Sequence, residues 1–184
     1  VLYDVYPVDG KFLIRTNWNA KNFRMMECPL DKTGKENWKE VVPHRTDVLL
    51  ENLEEFKDYI VLSERKNGLN ELRILKKDGS DYYMKFDEPV YTASVGANPE
   101  YDTKKLRYNY TSLTTPNSTY DYDLATKDQK LLKQTEVVGG YNTKDYVTER
   151  VFATAKDGTK VPIALVYKKG LEKDGNAPLL LYGY

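Results

Sequence analysis

Cysteine and histidine are nearly missing: Cys28 and His44 are the single examples in 184 residues. One cysteine cannot close a disulfide within the chain, which removes the usual framework of small secreted domains. Between Glu27 and Pro29, Cys28 has no neighbouring His or cationic cluster to lower its pKa, so it reads as an inert packing residue. One His and one Cys cannot assemble a zinc site, so neither a metal nor a cofactor is expected. Charge of either sign is not in excess, since Lys plus Arg and Asp plus Glu both number 28. That balance leaves no electrostatic footprint for nucleic acid or an anionic membrane. No apolar run reaches the length of a membrane span, and no signal peptide opens the chain. The first residues, Val1-Leu2-Tyr3, start mid-pattern without an initiator Met, and the last form an apolar run. Both ends read as cut, which places further parts of the protein outside this stretch.

Tyrosine is abundant, with 16 residues, and aromatic and β-branched residues favour strands. Three segments share one plan of strand, turn, strand. The first joins Lys11–Asn17 to Asn22–Glu27. The second joins Asp58–Glu64 to Asn70–Leu75 through Asn67-Gly68. The third joins Lys105–Thr111 to Ser118–Leu124 around Pro116-Asn117. Asn-Gly between apolar runs is a strong hairpin signal. The register repeats: Phe12 to Tyr59 is 47 residues, and Tyr59 to Leu106 is again 47. Further strands are predicted at Val48–Leu53 and Val90–Val95 before the hairpins, and at Trp38–Val42, Tyr82–Phe86 and Leu131–Val137 after them. Leu49–Lys57 could mimic a helical turn, but the repeat register favours strand. A period of roughly 40–50 residues with about four strands per unit is the signature of propeller blades. Three blades cannot close a ring of about four to eight, so blades are expected upstream.

The pattern changes near Gly139-Gly140. A new hairpin is predicted from Tyr146–Ala155 to Val161–Tyr167 across Lys156-Asp157-Gly158-Thr159, and Leu179–Tyr182 reads as a continuous apolar strand. Such strands belong to sheets buried on both faces. The expected fold is therefore mostly β: about three four-stranded blades over residues 1–140, then the first strands of a truncated α/β domain over 141–184.

The stretch Val161–Gly170, followed by Pro178-Leu179-Leu180-Leu181-Tyr182-Gly183-Tyr184, resembles the entry to the peptidase domain of the prolyl oligopeptidase family of serine peptidases. Pro43–Glu51, Ser63–Leu69, Leu106-Arg107-Tyr108, Ser112–Pro116 and Glu136–Tyr141 carry the resemblance across most of the chain, nearest to the oligopeptidase B (protease II) subgroup. The resemblance implies an α/β-hydrolase domain capped by a propeller that admits short peptides, with a Ser, Asp and His triad cutting after Arg or Lys. The triad lies outside this stretch. No Gly-x-Ser-x-Gly elbow occurs, and His44 lies far upstream, where it reads as a loop or blade residue. The family's Tyr-Gly-Tyr segment makes Tyr184 the candidate oxyanion donor. The fragment alone is expected to be inactive, to lie in the cytoplasm or else the periplasm, and to self-associate through open sheet edges.

Two other readings stay open: a stand-alone propeller that binds a protein or ligand, and a sister acylaminoacyl or dipeptidyl peptidase. Arg15, Arg24, Arg65 and Arg73, interleaved with Glu64 and Glu71, read as a solvated surface; the functional alternative is a charged tunnel for basic peptides. Asn109-Tyr110-Thr111 and Asn117-Ser118-Thr119 match the glycosylation pattern, which arises often by chance and matters only in a secreted eukaryotic protein.

Overall fold

The computed structural model describes residues 1–183. Twelve strands run as three consecutive four-stranded meanders. The first sheet holds β1 (Tyr3–Val8), β2 (Lys11–Thr16), β3 (Arg24–Pro29) and β4 (Lys39–Val42). The second holds β5 (Val48–Glu55), β6 (Tyr59–Lys66), β7 (Leu69–Lys76) and β8 (Asp81–Tyr83). The third holds β9 (Tyr91–Val95), β10 (Lys105–Ser112), β11 (Ser118–Asp123) and β12 (Gln129–Gln134). All neighbours are antiparallel. No α-helix occurs among the described residues.

Turn chemistry explains the hairpins. Asn67 and Gly68 carry φ of 51° and 79°, the paired positive φ values that a two-residue hairpin of the right twist requires. Asp9 and Gly10 do the same at 40° and 79° and create the β1–β2 hairpin, a strand pair the sequence reading passed over. Two expected strands are displaced. The strand sought at Tyr82–Phe86 is β8, which ends at Tyr83, and the one sought at Leu131–Val137 is β12, which starts at Gln129. In both places the ladder with the preceding strand, rather than the apolar run, sets the limits.

The period-two alternation of each strand divides its side chains between two sheet faces. Leu13, Met25 and Val42 of the first sheet meet Leu50, Leu53 and Leu62 of the second. Val61, Leu72 and Ile74 of the second meet Leu106, Tyr108 and Tyr110 of the third. Ile14, Met26 and Cys28 point the other way and are covered by Phe12 and Trp38. Cys28 is thus a core residue, 2% exposed, and burial pushes its thiol pKa up.

The adjoining sheets are also tied through backbone. β5 has a bulge between Leu50 and Asn52, and bulges leave ladder groups without partners. The first sheet supplies them: the Leu50 N–H donates to the Asn22 carbonyl at 3.0 Å, and Arg15 Nε donates to the Leu50 carbonyl at 2.8 Å.

Beyond the third sheet, β13 (Tyr146–Thr154) and β14 (Lys160–Lys168) form a separate two-stranded sheet. The strand expected at Leu179–Tyr182 is absent. Leu179, Leu180 and Leu181 are 81%, 90% and 80% exposed and join no ladder. An apolar run becomes a strand only when neighbouring strands satisfy its backbone, and no described strand lies beside it. Beyond the third sheet, this hairpin is the one ladder formed among the described residues.

Candidate functional site

Tyr184, the candidate oxyanion donor, lies outside the described residues. His44 lies in the loop between β4 and β5, and its Nε2 is buried without a partner.

The solvated reading of the charged residues fails for most of them. Glu64 on β6 is 0% exposed. Arg45 Nη2 donates to its Oε1, Tyr83 Oη donates to its Oε2 at 2.5 Å, and Arg73 Nη1 stands 3.5 Å away. Arg73 also pairs with Asp81 at 2.5 Å. Arg15, over the Phe23 ring at 3.7 Å, and Arg24, paired with Glu40 at 3.0 Å, are largely covered; Arg65 alone of the four stays exposed. A buried carboxylate must be paired or it loses far more solvation than its surroundings return. The two arginines and the tyrosine meet that demand, and Arg45 joins the β4–β5 loop to the second sheet.

A second cluster lies at an open cleft of about 650 Å³ between the third sheet and residues 143–148. Phe86, Tyr108, Tyr110 and Tyr120 form its aromatic wall, with Tyr108 stacked on Tyr120 at 5.3 Å. Glu88 sits there, ringed by hydroxyls. Ser112 Oγ and Thr114 Oγ1 donate to its Oε1 at 2.6 and 2.7 Å. Tyr110 Oη and Thr115 Oγ1 donate to its Oε2 at 2.6 and 2.9 Å. Burial raises the Glu88 pKa, but the four donors outweigh it and hold the carboxyl below the usual glutamate range.

A carboxylate so stabilised is a poor proton acceptor. Ser112 therefore serves as a donor that orders the β10–β11 turn, not as an activated nucleophile. Tyr141 Oη then donates to the Thr114 carbonyl at 2.7 Å, fastening the outgoing segment to the same turn. The sequence reading missed Glu64 and Glu88 in these roles. The hydroxyl-rich run Ser112-Leu113-Thr114-Thr115 was a visible signal, but its partner lies over 20 residues away. No group of three or more His, Cys, Asp or Glu side chains fit to hold a metal occurs among the described residues.

Consecutive four-stranded meanders packed face to face define a segment of β-propeller. The family model described as prolyl oligopeptidase, N-terminal β-propeller domain, matches residues 2–135, and the chain belongs to that family. Dipeptidyl aminopeptidase BI of Pseudoxanthomonas mexicana is 46% identical over 100% of this chain and 26% of its own length. Protease 2 of Moraxella lacunata is 36% identical, with the same coverage of each chain. Among solved structures, oligopeptidase B from Trypanosoma brucei with covalently bound antipain, in its closed form, superposes with a TM-score of 0.80 at 32% identity. That match covers 94% of this chain and 26% of the other. Oligopeptidase B from Leishmania major gives a TM-score of 0.82 at 29% identity, over 94% and 26%. The chain thus spans about a quarter of the length of the curated relatives it matches.

Proposed function

We propose that the chain is the last part of the propeller and the opening of the peptidase domain of a serine oligopeptidase. Residues 1–140 belong to the propeller and 141–184 to the peptidase domain. The propeller limits access so that short peptides enter and folded proteins do not; cleavage falls after Arg or Lys. The observation that carries this reading is the run of three four-stranded sheets within the 2–135 family match, and the likeness to oligopeptidase B supports the specificity. Ser, Asp and His of the triad come from a part of the protein outside this chain, and Tyr184 donates to the developing oxyanion.

A second reading has its own support. The 46% identity is to a protein named dipeptidyl aminopeptidase, which favours release of N-terminal dipeptides over internal cleavage. One experiment separates the two. The full-length enzyme is assayed on blocked chromogenic peptides ending in Arg or Lys and on unblocked dipeptide derivatives. Turnover of the blocked peptides supports the first reading, whereas activity confined to free N-termini replaces it with the second. In the same assay Tyr184→Phe lowers kcat by about 10²–10³-fold, the usual cost of one oxyanion donor; unchanged kcat removes Tyr184 from that role. The 184-residue chain alone hydrolyses neither substrate.

A further inference from the structure

The first and second sheets part company at the end marked by the β1–β2, β5–β6 and β7–β8 turns. A hollow of about 550 Å³ lies between them there, within the range of roughly 300–1,000 Å³ that small-molecule sites occupy. Packed sheets cross at an angle set by their twist, so side chains that meet in the middle separate towards the end. Leu50, Leu53 and Leu62 fill the middle. The end is walled by Val8, Leu13, Phe56, Ile60 and Leu75, and the β7–β8 turn presents Gly79 to it, which has no side chain to close the space.

Charge at the mouth is of mostly one sign. Lys11, Lys76 and Lys77 stand round it against one carboxylate, Asp9. Lys77 is taken by Asp9 at 2.6 Å, and Lys11 by Glu27 at 2.5 Å. Lys76 forms no ion pair among the described residues; its ammonium stands 5.8 Å from the Tyr82 ring. Directly opposite Lys76 in the β6–β7 ladder is Tyr59, 4% exposed, whose hydroxyl is buried with no hydrogen-bond partner among the described residues. Buried hydroxyls are ordinarily paired. Burial raises the pKa of this one and keeps it a neutral donor. Tyr59 and Lys76 also border a smaller hollow of about 180 Å³ towards the third sheet, where Lys104 adds an ammonium and Asp58 a carboxylate. A donor without an acceptor and a cation without a counter-ion, paired across one ladder at the lip of an apolar hollow, call for the same occupant: an anion with an apolar body.

We propose that the hollow between the first and second sheets is a binding site for an amphiphilic carboxylate, with the apolar chain against Leu13, Phe56 and Leu75 and the carboxylate held by Lys76 and Tyr59. The site lies at the opposite end of the second sheet from the Asn67-Gly68 turn. β6 spans the eight residues between the two ends, roughly 23 Å. It is therefore separate from the cleft beside Glu88 and does not depend on which peptide bond the protein cleaves.

Calorimetric titration of the full-length protein with octanoate, octan-1-ol and acetate tests the site. Saturable binding of one octanoate per chain is expected, with octan-1-ol about ten-fold weaker or worse and acetate not bound, because a hydrogen bond to a charged group contributes more than one to a neutral group. Absence of saturable octanoate binding overturns the proposal, and octan-1-ol binding as tightly as octanoate overturns the carboxylate. Three substitutions locate the ligand. Lys76→Gln removes the unpaired ammonium and should weaken octanoate about ten-fold. Val41→Trp, at a rim residue 37% exposed, should block the hollow. Lys105→Gln, on the outward face of the third sheet, should leave binding in place. Octanoate affinity that ignores Lys76→Gln and Val41→Trp, or that falls equally with Lys105→Gln, overturns the site. Tyr59→Phe deletes a hydroxyl that has no partner, so urea stability should hold or rise while octanoate affinity falls several-fold. A Tyr59→Phe protein that is less stable yet binds octanoate as before overturns the assignment of the carboxylate to Tyr59.

Discussion

Glu88 illustrates how a single carboxyl can organise a surface by being ionised. Four hydroxyls converge on it, and hydrogen bonds to the charged form lower a pKa. In the unfolded chain the same group has an ordinary value of about 4.3. The folded-state value lies below that, so the native state binds the proton less readily. The stability it contributes is present above the unfolded pKa and is lost as pH falls through the folded one. Wild type is expected to lose urea stability on acidification from about pH 5 towards pH 3 more steeply than Glu88→Gln, whose amide does not titrate. Equal slopes for the two proteins would show that Glu88 is not held down by its hydroxyls. Little of this was legible in the sequence. Glu88 stands among ordinary surface residues between Asp87 and Pro89, and its partners come together only when β9 and β10 pair. Glu64 was equally concealed: it sits in Ser63-Glu64-Arg65 like any surface charge, and its burial follows from the sheets on either side of it.

At the scale of strands and turns the sequence was more informative, because local periodicity and turn chemistry act over short distances. The three hairpins, the 47-residue register and the later hairpin at 146–168 all rest on alternation and on Gly, Asn or Asp at the bends. The β5 bulge also left a trace: its buried residues Val48, Leu50 and Leu53 step by two and then by three. What that trace could not reveal is the partner of the freed backbone. Asn22, from the turn of the first sheet, accepts from the Leu50 N–H and donates through Nδ2 to the Arg45 and Thr46 carbonyls at 3.0 and 2.8 Å. Its side chain therefore fastens the linker between two sheets. Asn22→Ala is expected to destabilise the protein by about 1–3 kcal/mol, since two carbonyls lose a donor at net values of roughly 0.5–1.5 kcal/mol each. Urea unfolding measures it. A change under about 0.5 kcal/mol would mean that water replaces the amide and that the linker is held elsewhere.

The molecule as a whole is asymmetric along its line of sheets. The outward face of the third sheet is polar, with Arg107 paired to Asp121 at 2.9 Å and Asn109 opposite Thr119. The outward face of the first sheet is apolar: Val5 pairs across the ladder with Ile14, beside Met26, Cys28 and Phe12, and Val5 itself is 46% exposed. A propeller buries such a face against another blade, and an apolar face with open edges invites a second chain when no blade is present. The isolated 184-residue chain is therefore expected to associate through the first sheet rather than the third. Sedimentation velocity across a concentration series should show a monomer giving way to larger species, and Val5→Lys should shift that transition to higher concentration because a charge at the centre of the contact must be desolvated. Lys105→Glu, on the polar third sheet, should leave it in place. A chain that stays monomeric throughout, or one whose association responds to Lys105 and not to Val5, would show that the apolar outer face of the first sheet is not what governs its assembly.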